Sequence, residues 1–108
     1  MTSDPPYLYL TTHGRVTRRQ HEIEIWFVAH AGAYYVVSGG RENADWVKNI
    51  RVEPQVLIRV GARNAPPLPS LARVIPEGSE AALTAAVSEL MNAKYGWSDG
   101  LIVEIKPF

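Results

Sequence analysis

The sequence predicts an α+β, mainly β fold: an antiparallel, partly closed barrel of about six strands with two helices packed on its rim. Three observations lead to this prediction. Short stretches of β-forming residues recur along the chain, only two stretches have helical periodicity, and the strand–helix alternation of parallel sheets is absent. The length of 108 residues is typical of one domain, which we place over residues 1–108.

Six segments have the composition of strands. They are residues 7–12, 21–30, 33–38, 55–60, 71–75 and 101–105. Alternation is clearest in the second segment, where Glu22 and Glu24 point to one side and Ile23 and Ile25 to the other. This pattern indicates a solvated carboxylate face rather than an acid–base pair. The Ala-Gly dipeptide at residues 31–32 predicts a tight hairpin turn into the third strand.

Two segments have the spacing of helices. The shorter one, residues 43–52, begins with Asn43 as its predicted N-cap. The longer one is opened by residues 76–79 and runs to about residue 93, with Gly96 placed to end it. Its predicted apolar stripe consists of Leu83, Val87, Leu90 and Met91. Several prolines in residues 61–70 predict a loop before the fifth strand.

The composition excludes several classes of function. Eleven basic and eleven acidic residues cancel, which argues against a dedicated nucleic-acid binder. The chain has no cysteine, so disulfides, thiolate catalysis and zinc–sulfur sites are excluded. No run approaches the ~20 apolar residues of a membrane span and no secretory signal is visible, so we expect a cytoplasmic protein. The three histidines lack the spacing of a helical metal pair, and we predict no metal site.

The most informative segment is residues 11–21, TTHGRVTRRQH, between the first two predicted strands. It carries Arg15, Arg18 and Arg19 and contains no acid. One interpretation is a loop of solvated surface arginines. The other is a clamp for a phosphate or carboxylate, because arginine offers planar, permanently charged, bidentate donors and Gly14 lets backbone N–H groups approach a ligand.

A second candidate region follows the third predicted strand. Ser38, Gly39 and Gly40 are either a plain strand exit or a place where a flat ring lies against bare backbone. Trp46 and Asn49 lie on the short predicted helix that begins nearby, and Trp46 is equally well explained as a core residue. Residues 38–40 therefore indicate a ligand site only in combination with the arginines of residues 11–21.

Near the end of the long predicted helix, Tyr95 and Trp97 flank Gly96. We favour simple packing for both aromatics. The alternative is one wall of a substrate pocket, to which Tyr95 contributes a hydroxyl. The sequence has no nucleophile elbow, phosphate-binding loop or dinucleotide-binding glycine pattern. An enzyme built on this chain would therefore take its reactive group from a cofactor.

Together, the runs LTTHGRVTRRQHEIEIWFV, YYVVSGG, ADWVKNIRVEP and KYGW resemble the deazaflavin-dependent nitroreductases, also called deazaflavin-dependent quinone reductases. These proteins belong to the flavin-binding split-barrel superfamily, and the resemblance covers nearly the whole chain. It implies a split β-barrel that binds coenzyme F420, with FMN as the alternative cofactor. It also implies hydride transfer to an electron-poor small molecule such as a quinone, an enone or a nitro compound.

The resemblance also implies the residues of the site. The cofactor phosphate and tail would lie on the arginine-rich segment, at Arg15, Thr17, Arg18, Arg19 and His21. The ring system would lie against the strand exit and the short helix, at Ser38, Gly39, Gly40, Trp46 and Asn49. Tyr95 is the implied candidate for a catalytic hydroxyl on the substrate side.

This chain departs from the usual family pattern at three positions. The family turn has a second glycine where Arg18 stands, often an arginine at the place of His21, and in many members a proline at the place of Glu24. The first two departures fall within the implied phosphate contacts, and they bear on the choice between F420 and FMN.

Two alternatives and one assembly question accompany this interpretation. The chain could be a non-catalytic carrier of a flavin-like molecule, or a single-stranded nucleic-acid binder that stacks bases on aromatic side chains. The neutral net charge makes the second alternative the weakest.

The sequence also predicts a homodimer. A small barrel is expected to bury less aromatic surface alone than is offered by Trp26, Phe27, Tyr34 and Tyr35.

Overall fold

The computed structural model describes residues 5–108, and the predicted domain over residues 1–108 therefore includes four residues outside that range. These described residues form seven strands: β1 Leu8–His13, β2 Gln20–Ile25, β3 Phe27–His30, β4 Ala33–Ser38, β5 Gln55–Val60, β6 Leu68–Val74 and β7 Leu101–Pro107. The α-helices are α1 Asp45–Val52 and α2 Ala81–Tyr95, and a 3-10 helix, Arg41–Asn43, precedes α1. All strand pairs are antiparallel, in the order β2-β1-β5-β6-β7-β4-β3. The predicted mainly β fold with two helices is confirmed.

The two edge strands of the sheet are consecutive in the chain, so the sheet must curl until its two edges come close together. β2 pairs with β1, whereas β3 pairs with β4 at the opposite edge of the sheet, and only Trp26 separates the two strands. The prediction of one strand over residues 21–30 is therefore wrong at Trp26, where the chain leaves one partner and takes up another. This exchange of partners leaves a cleft beside β2, where the sheet edge is unpaired.

Two hydrophobic clusters lie on the two faces of the sheet. One fills the barrel and includes Leu10, Val36 and Ile58; the other lies under α2 and includes Val37 and Met91. Consecutive valines of β4 thus face different clusters, which explains why that strand is apolar on both sides.

Helix α2 presents a narrower apolar stripe than predicted. Val87 and Met91 are fully buried and Leu83 packs beside them, but Leu90 is exposed, so its place in the predicted stripe is wrong. Gly96 ends the helix as predicted, with φ of +70°. Neither α-helix of the described residues is long and apolar enough to span a membrane.

Two predicted boundaries are corrected. Ala44, not Asn43, is the N-cap of α1, because Asn43 belongs to the 3-10 helix, in which its N–H donates to the Gly40 carbonyl at 3.1 Å. The loop predicted over residues 61–70 is too long, because β6 begins at Leu68 and includes Pro69. Pro69 is exposed, and its carbonyl accepts a hydrogen bond from the N–H of the last residue at 3.1 Å, so the strand loses only a donor there.

The hairpin turn predicted between β3 and β4 is confirmed, and it suggests a stabilising substitution. Ala31 and Gly32 have φ of +50° and +82°, as a two-residue type I′ turn requires. Asparagine tolerates this conformation better than alanine, so Ala31→Asn should raise the free energy of unfolding by about 0.5–1 kcal/mol. Urea denaturation measures the change. Ala29→Asn, on the neighbouring strand, is the control and should give no gain; an equal gain in both variants would contradict the argument.

Candidate functional site

The basic turn, residues 14–19, connects β1 to β2 and is closed by its own backbone. The N–H of Gly14 donates to the Arg19 carbonyl at 2.7 Å, and the N–H of Arg18 donates to the Gly14 carbonyl at 2.9 Å. A Cβ on Gly14 would lie 2.9 Å from Nε2 of His21 and 3.1 Å from the Arg19 carbonyl oxygen. Glycine here lets the His21 ring lie against the turn, and a larger residue would displace that ring.

Arg18 adopts the left-handed backbone conformation, with φ of +61°. A side chain in this region costs roughly 1–2 kcal/mol, and glycine avoids the cost. Arg18 bears this cost and places an exposed guanidinium on the turn.

Asn49 joins the basic turn to helix α1. Its Oδ1 accepts the backbone N–H of Arg15 at 3.2 Å and Nη1 of the same residue at 2.9 Å. Its Nδ2 donates to Oγ1 of Thr12 at 3.2 Å, and the side chain is buried. The structure therefore places Asn49 behind Arg15, where it positions the guanidinium; a direct contact with a ligand stays a prediction.

Two cavities border successive residues of β2, and we call them together the β2 cleft. The larger has a volume of about 600 Å³ and includes Ile23; the smaller, about 220 Å³, includes Ile25, the next residue on the same face of β2. The larger cavity is lined by Thr12, Gly14, Arg15, Val16, Thr17, Gln20, His21, Glu22, Ile23, Asp45, Trp46 and Asn49. The smaller is lined by Glu24, Ile25, Trp26, Val37 and Trp97. The larger cavity thus carries the donors Arg15, Thr17 and His21, and the smaller carries the indole rings of Trp26 and Trp97 beside the Glu24 carboxylate.

The larger cavity brings together half of the predicted cofactor residues. They are Arg15, Thr17, His21, Trp46 and Asn49. Arg18 lines another cavity, of about 280 Å³, which shares Gly14 and Arg15 with the larger cavity of the β2 cleft. Arg19 is exposed on the same turn. The predicted arginines therefore share one turn but do not all face one cavity.

The strand exit predicted as a ring-binding segment lies near the other end of the β2 cleft. Gly39 and Gly40 are exposed, and a Cβ on Gly39 would lie 3.4 Å from Cζ2 of Trp97. Ser38 is buried, and its Oγ donates to the Arg41 carbonyl at 3.0 Å. The backbone at Gly39 thus adjoins Trp97, which lines the smaller cavity.

Sequence reasoning missed two residues that hold this strand exit. A Cβ on Gly100 would lie only 2.3 Å from the Ser38 carbonyl oxygen, so the two backbones are in close contact. Arg41 forms an ion pair with Glu77, before α2, and another with Asp99 at 2.9 Å, after α2. Both contacts join segments that are distant in sequence, so no short motif indicates them.

Tyr95 has its hydroxyl on backbone groups at the break between β2 and β3. The hydroxyl accepts the N–H of Phe27 at 3.0 Å, and the carbonyl oxygens of Phe27 and Pro6 lie 2.9 and 2.6 Å from it. Its ring stacks on Trp26 with centroids 4.5 Å apart. These contacts match the packing interpretation, and a catalytic role for Tyr95 stays a prediction.

The substitution Tyr95→Phe measures how much the hydroxyl holds this break together. It keeps the ring stacked but leaves the Phe27 N–H without this acceptor, so the free energy of unfolding should fall by about 1–3 kcal/mol. Urea denaturation followed by tryptophan fluorescence gives the value. Tyr34→Phe removes the same group from another half-buried tyrosine and should lower the free energy of unfolding by less. Equal losses in the two variants would show that the hydrogen bond to Phe27 does not stabilise the fold.

The two acids of β2 face away from the barrel interior, as their alternation predicts. Glu22 lies 3.9 Å from Arg59 and 3.4 Å from Arg63, and Glu24 accepts the hydroxyl of Tyr9 at 3.0 Å. Burial and the hydrogen bond to Glu24 raise the pKa of Tyr9 to about 12, so that hydroxyl stays a donor at neutral pH. Both carboxylates are thus engaged by partners, and within residues 5–108 no group of three potential metal ligands comes together.

The family of the chain follows from its sequence profile. The profile of the F420H(2)-dependent quinone reductase family matches residues 2–99. The chain belongs to this family. It is therefore a deazaflavin-dependent oxidoreductase, and coenzyme F420 rather than FMN is its cofactor. No curated protein matches the chain.

Solved structures agree on the fold of this F420H(2)-dependent reductase. The heme storage protein HutZ from Vibrio cholerae aligns with a TM-score of 0.76 at 20% identity, covering 96% of this chain and 82% of that one. An F420-H2 dependent reductase aligns with 0.67 at 22% identity, covering 97% and 96%. A structure described as a domain-swapped dimer aligns with 0.60 at 20% identity, covering 97% and 82%. These likenesses show the split-barrel fold.

The residues of the β2 cleft fit coenzyme F420, which combines a flat tricyclic ring with a charged phosphate. At the polar end, a guanidinium, a hydroxyl and an imidazole come from Arg15, Thr17 and His21. At the other end, the exposed backbone of Gly39 lies beside Trp97 and offers a flat surface. A ligand with one anionic end and one planar end therefore finds matching chemistry at both ends of the cleft.

Proposed function

We propose that this chain reduces an electron-poor small molecule, such as a quinone, an enone or a nitro compound, beside the Trp97 end of the β2 cleft. The observation that carries the proposal is the distribution of side chains along that cleft, with Arg15 in the larger cavity and Trp26 and Trp97 in the smaller. When bound in its reduced form, coenzyme F420 supplies a hydride. The family assignment supports this activity over a carrier without turnover.

The polar end would hold the cofactor by its charge. The proposed contacts of the phosphate and tail are Arg15, Thr17, Arg18, Arg19 and His21. Because Asn49 fixes Arg15 through two hydrogen bonds, the guanidinium loses little freedom when it binds an anion. Ser38, Gly39, Gly40 and Trp46 are the proposed neighbours of the ring system.

The acceptor would lie at the corner formed by Trp26 and Trp97. Their rings are 6.2 Å apart and inclined at 72°, and Trp26 is 46% exposed. A planar acceptor can rest on one ring with its edge against the other. Hydride transfer depends on the distance and orientation of donor and acceptor, so this corner would act by positioning. The proton that completes the reduction would come from water, which reaches the exposed Trp26.

A binding and turnover experiment tests the proposal. Purified chain is titrated with oxidised F420 to obtain the dissociation constant, and then mixed with reduced F420 and a quinone, an enone or a nitroaromatic compound without oxygen. We expect binding, and the absorbance of oxidised cofactor should return with at least one acceptor. Binding without turnover of any acceptor would indicate a carrier, and absence of F420 binding would refute the proposal.

We also propose a homodimer, although fewer aromatic side chains are exposed than the sequence indicates. Phe27 and Tyr35 are buried within the chain and Tyr34 is half-buried, so these rings need no second subunit. Trp26 is the aromatic side chain of this group that is still exposed. The likeness to a structure described as a domain-swapped dimer supports pairing. Light scattering at micromolar concentration measures the oligomeric state, and a monomer would refute the proposed homodimer.

A cytoplasmic location stays a prediction.

A further inference from the structure

The smaller cavity of the β2 cleft combines two indole rings with one carboxylate. Its lining includes Glu24 together with Trp26 and Trp97, and its volume is about 220 Å³. Among residues 5–108, Glu24 is the one charged side chain of this lining, and it is exposed. A molecule that enters the cavity therefore meets aromatic rings and a negative charge at the same time.

The charge of Glu24 is less offset than that of Glu22, the other acid of β2. The carboxylate of Glu24 accepts the neutral hydroxyl of Tyr9 at 3.0 Å. Arg63 lies over the ring of Tyr9, 5.3 Å from its centroid, but its guanidinium is paired with Glu22 at 3.4 Å. Within residues 5–108 no ion pair involves Glu24. The smaller cavity thus presents a negative charge to its ligand.

Lys94 brings a cation to the neighbouring strand break but does not belong to this lining. Its ammonium donates to the carbonyl oxygens of Phe27 and Pro5, at 3.0 and 2.8 Å. It lies 5.2 Å from the centroid of the Tyr95 ring, which stacks on Trp26. Lys94 therefore serves the backbone at the break between β2 and β3, and Glu24 determines the sign of the charge inside the cavity.

The two indole rings favour a cation for a second reason. The faces of aromatic rings have negative electrostatic potential, and tryptophan attracts cations most strongly. Trp26 is 46% exposed, and its ring and that of Trp97 are 6.2 Å apart and inclined at 72°. A flat molecule with a positive charge would be attracted by the rings and by the carboxylate, whereas an anion would be repelled by both.

We infer that the smaller cavity is an acceptor subsite that prefers planar, electron-poor molecules with a positive charge beside the reducible ring, and that Glu24 is the specificity-determining residue. The inference rests on the proposed function, because it requires the acceptor to lie at the corner of Trp26 and Trp97. It narrows the substrate class, since anionic quinones would be poor acceptors and quinones that carry a cationic group would be good ones.

This preference leaves the chemistry of the reduction unchanged. A quinone takes up a hydride from reduced F420 and a proton from water and becomes a hydroquinone, which leaves oxidised F420 and one proton released to water. A substituent that is not reduced has the same charge in the substrate, the transition state and the product. Glu24 therefore acts on the binding of the acceptor, and such uniform binding lowers KM without raising kcat.

The test uses three naphthoquinones that differ in one substituent: a trimethylammonium-methyl, a hydroxymethyl or a sulfonatomethyl group. Calorimetry gives their dissociation constants for the wild-type chain and Glu24→Gln, both saturated with oxidised F420, at neutral pH and low salt. Glutamine keeps an oxygen that can accept the Tyr9 hydroxyl. The variant should bind the cationic quinone about fivefold more weakly and the anionic one about threefold more tightly, with the neutral one within about twofold of wild type.

Turnover with reduced F420 gives a second readout. For each quinone, the ratio of the KM values of variant and wild type should follow the dissociation constants, while kcat stays within about twofold. Salt at about 1 M should remove most of the difference, because the Debye length falls to about 3 Å. The control Glu89→Gln removes the same charge from an exposed position of α2 that lines none of the cavities described above, and every constant should stay within about twofold.

The outcomes separate this inference from the proposed function. If the wild-type chain reduces a quinone but Glu24→Gln leaves the ratio of the cationic and anionic constants unchanged, the inference is overturned and the proposed function stands. An equal loss for the neutral quinone would also overturn it, since the effect would then not act through charge. A wild-type chain that binds F420 but none of the three quinones would refute the inference, and one that binds neither F420 nor a quinone would refute both.

Discussion

Replacing Arg15 and Arg19 together with alanine is expected to weaken F420 binding by about 10²–10⁴-fold. Each guanidinium that donates a charged hydrogen bond contributes ~1.5–3 kcal/mol, and the two losses add if both arginines contact the anion. Arg15 should account for the larger share, because Asn49 already holds its guanidinium in place. The exposed Arg19 must be ordered on binding, which reduces its contribution. Titration of each single variant and of the pair, by cofactor fluorescence, measures these shares.

The same variants should remain folded, which separates binding from stability. In Arg15→Ala the Oδ1 of Asn49 keeps the backbone N–H of residue 15 as a donor, so the basic turn stays attached to α1. The matched control is Arg51→Ala, which removes a guanidinium from an exposed position of α1 that lines none of the cavities described above. Equal affinities for F420 in the double variant and the control would show that Arg15 and Arg19 are solvated surface residues that do not contact the cofactor.

The sequence predicts those parts of the fold that depend on neighbours in the chain. It predicts β4 and β5 with their observed bounds, Ala33–Ser38 and Gln55–Val60, because alternation and flanking turn residues are local signals. The break at Trp26 has no local signal. It arises because β2 and β3 pair with β1 and β4, whose positions depend on the whole sheet.

The candidate site divides in the same way. The sequence indicates the basic turn because Arg15, Arg18 and Arg19 are close along the chain. It does not indicate that Asn49 positions Arg15, because the two residues are 34 positions apart. Arg41 and Asp99 are 58 positions apart, and their ion pair likewise has no counterpart in any short motif. Contacts of this kind follow from sheet topology, which a single sequence specifies only weakly.

The substitution Gly100→Ala is expected to lower the free energy of unfolding by roughly 2–4 kcal/mol. Its Cβ would lie 2.3 Å from the Ser38 carbonyl oxygen and 2.7 Å from Cγ1 of Val37. The first of these atoms belongs to a backbone paired with β7, so it cannot move without disturbing the ladder between Ser38 and Leu101. Thermal and urea denaturation give the loss of stability.

Gly40→Ala provides the contrast that makes this prediction specific. A Cβ at Gly40 would have its nearest neighbours 3.7 Å away, and φ of −79° suits any residue, so stability should change by less than about 0.5 kcal/mol. The added methyl would instead stand on the exposed backbone against which the ring system is proposed to lie, and F420 binding should weaken about tenfold.

The two glycines thus predict opposite results from the same chemical change. Gly100→Ala should lose stability because the added methyl meets the backbone of Ser38 inside the fold. Gly40→Ala should lose affinity because its methyl, in ordinary contact with Ala44, adds bulk at the exposed strand exit where the ring system is proposed to lie. If Gly40→Ala binds F420 as tightly as the wild-type chain does, the ring system does not lie at this strand exit. If Gly100→Ala is as stable as the wild-type chain, the close approach of Gly100 to Ser38 is not a constraint on the fold.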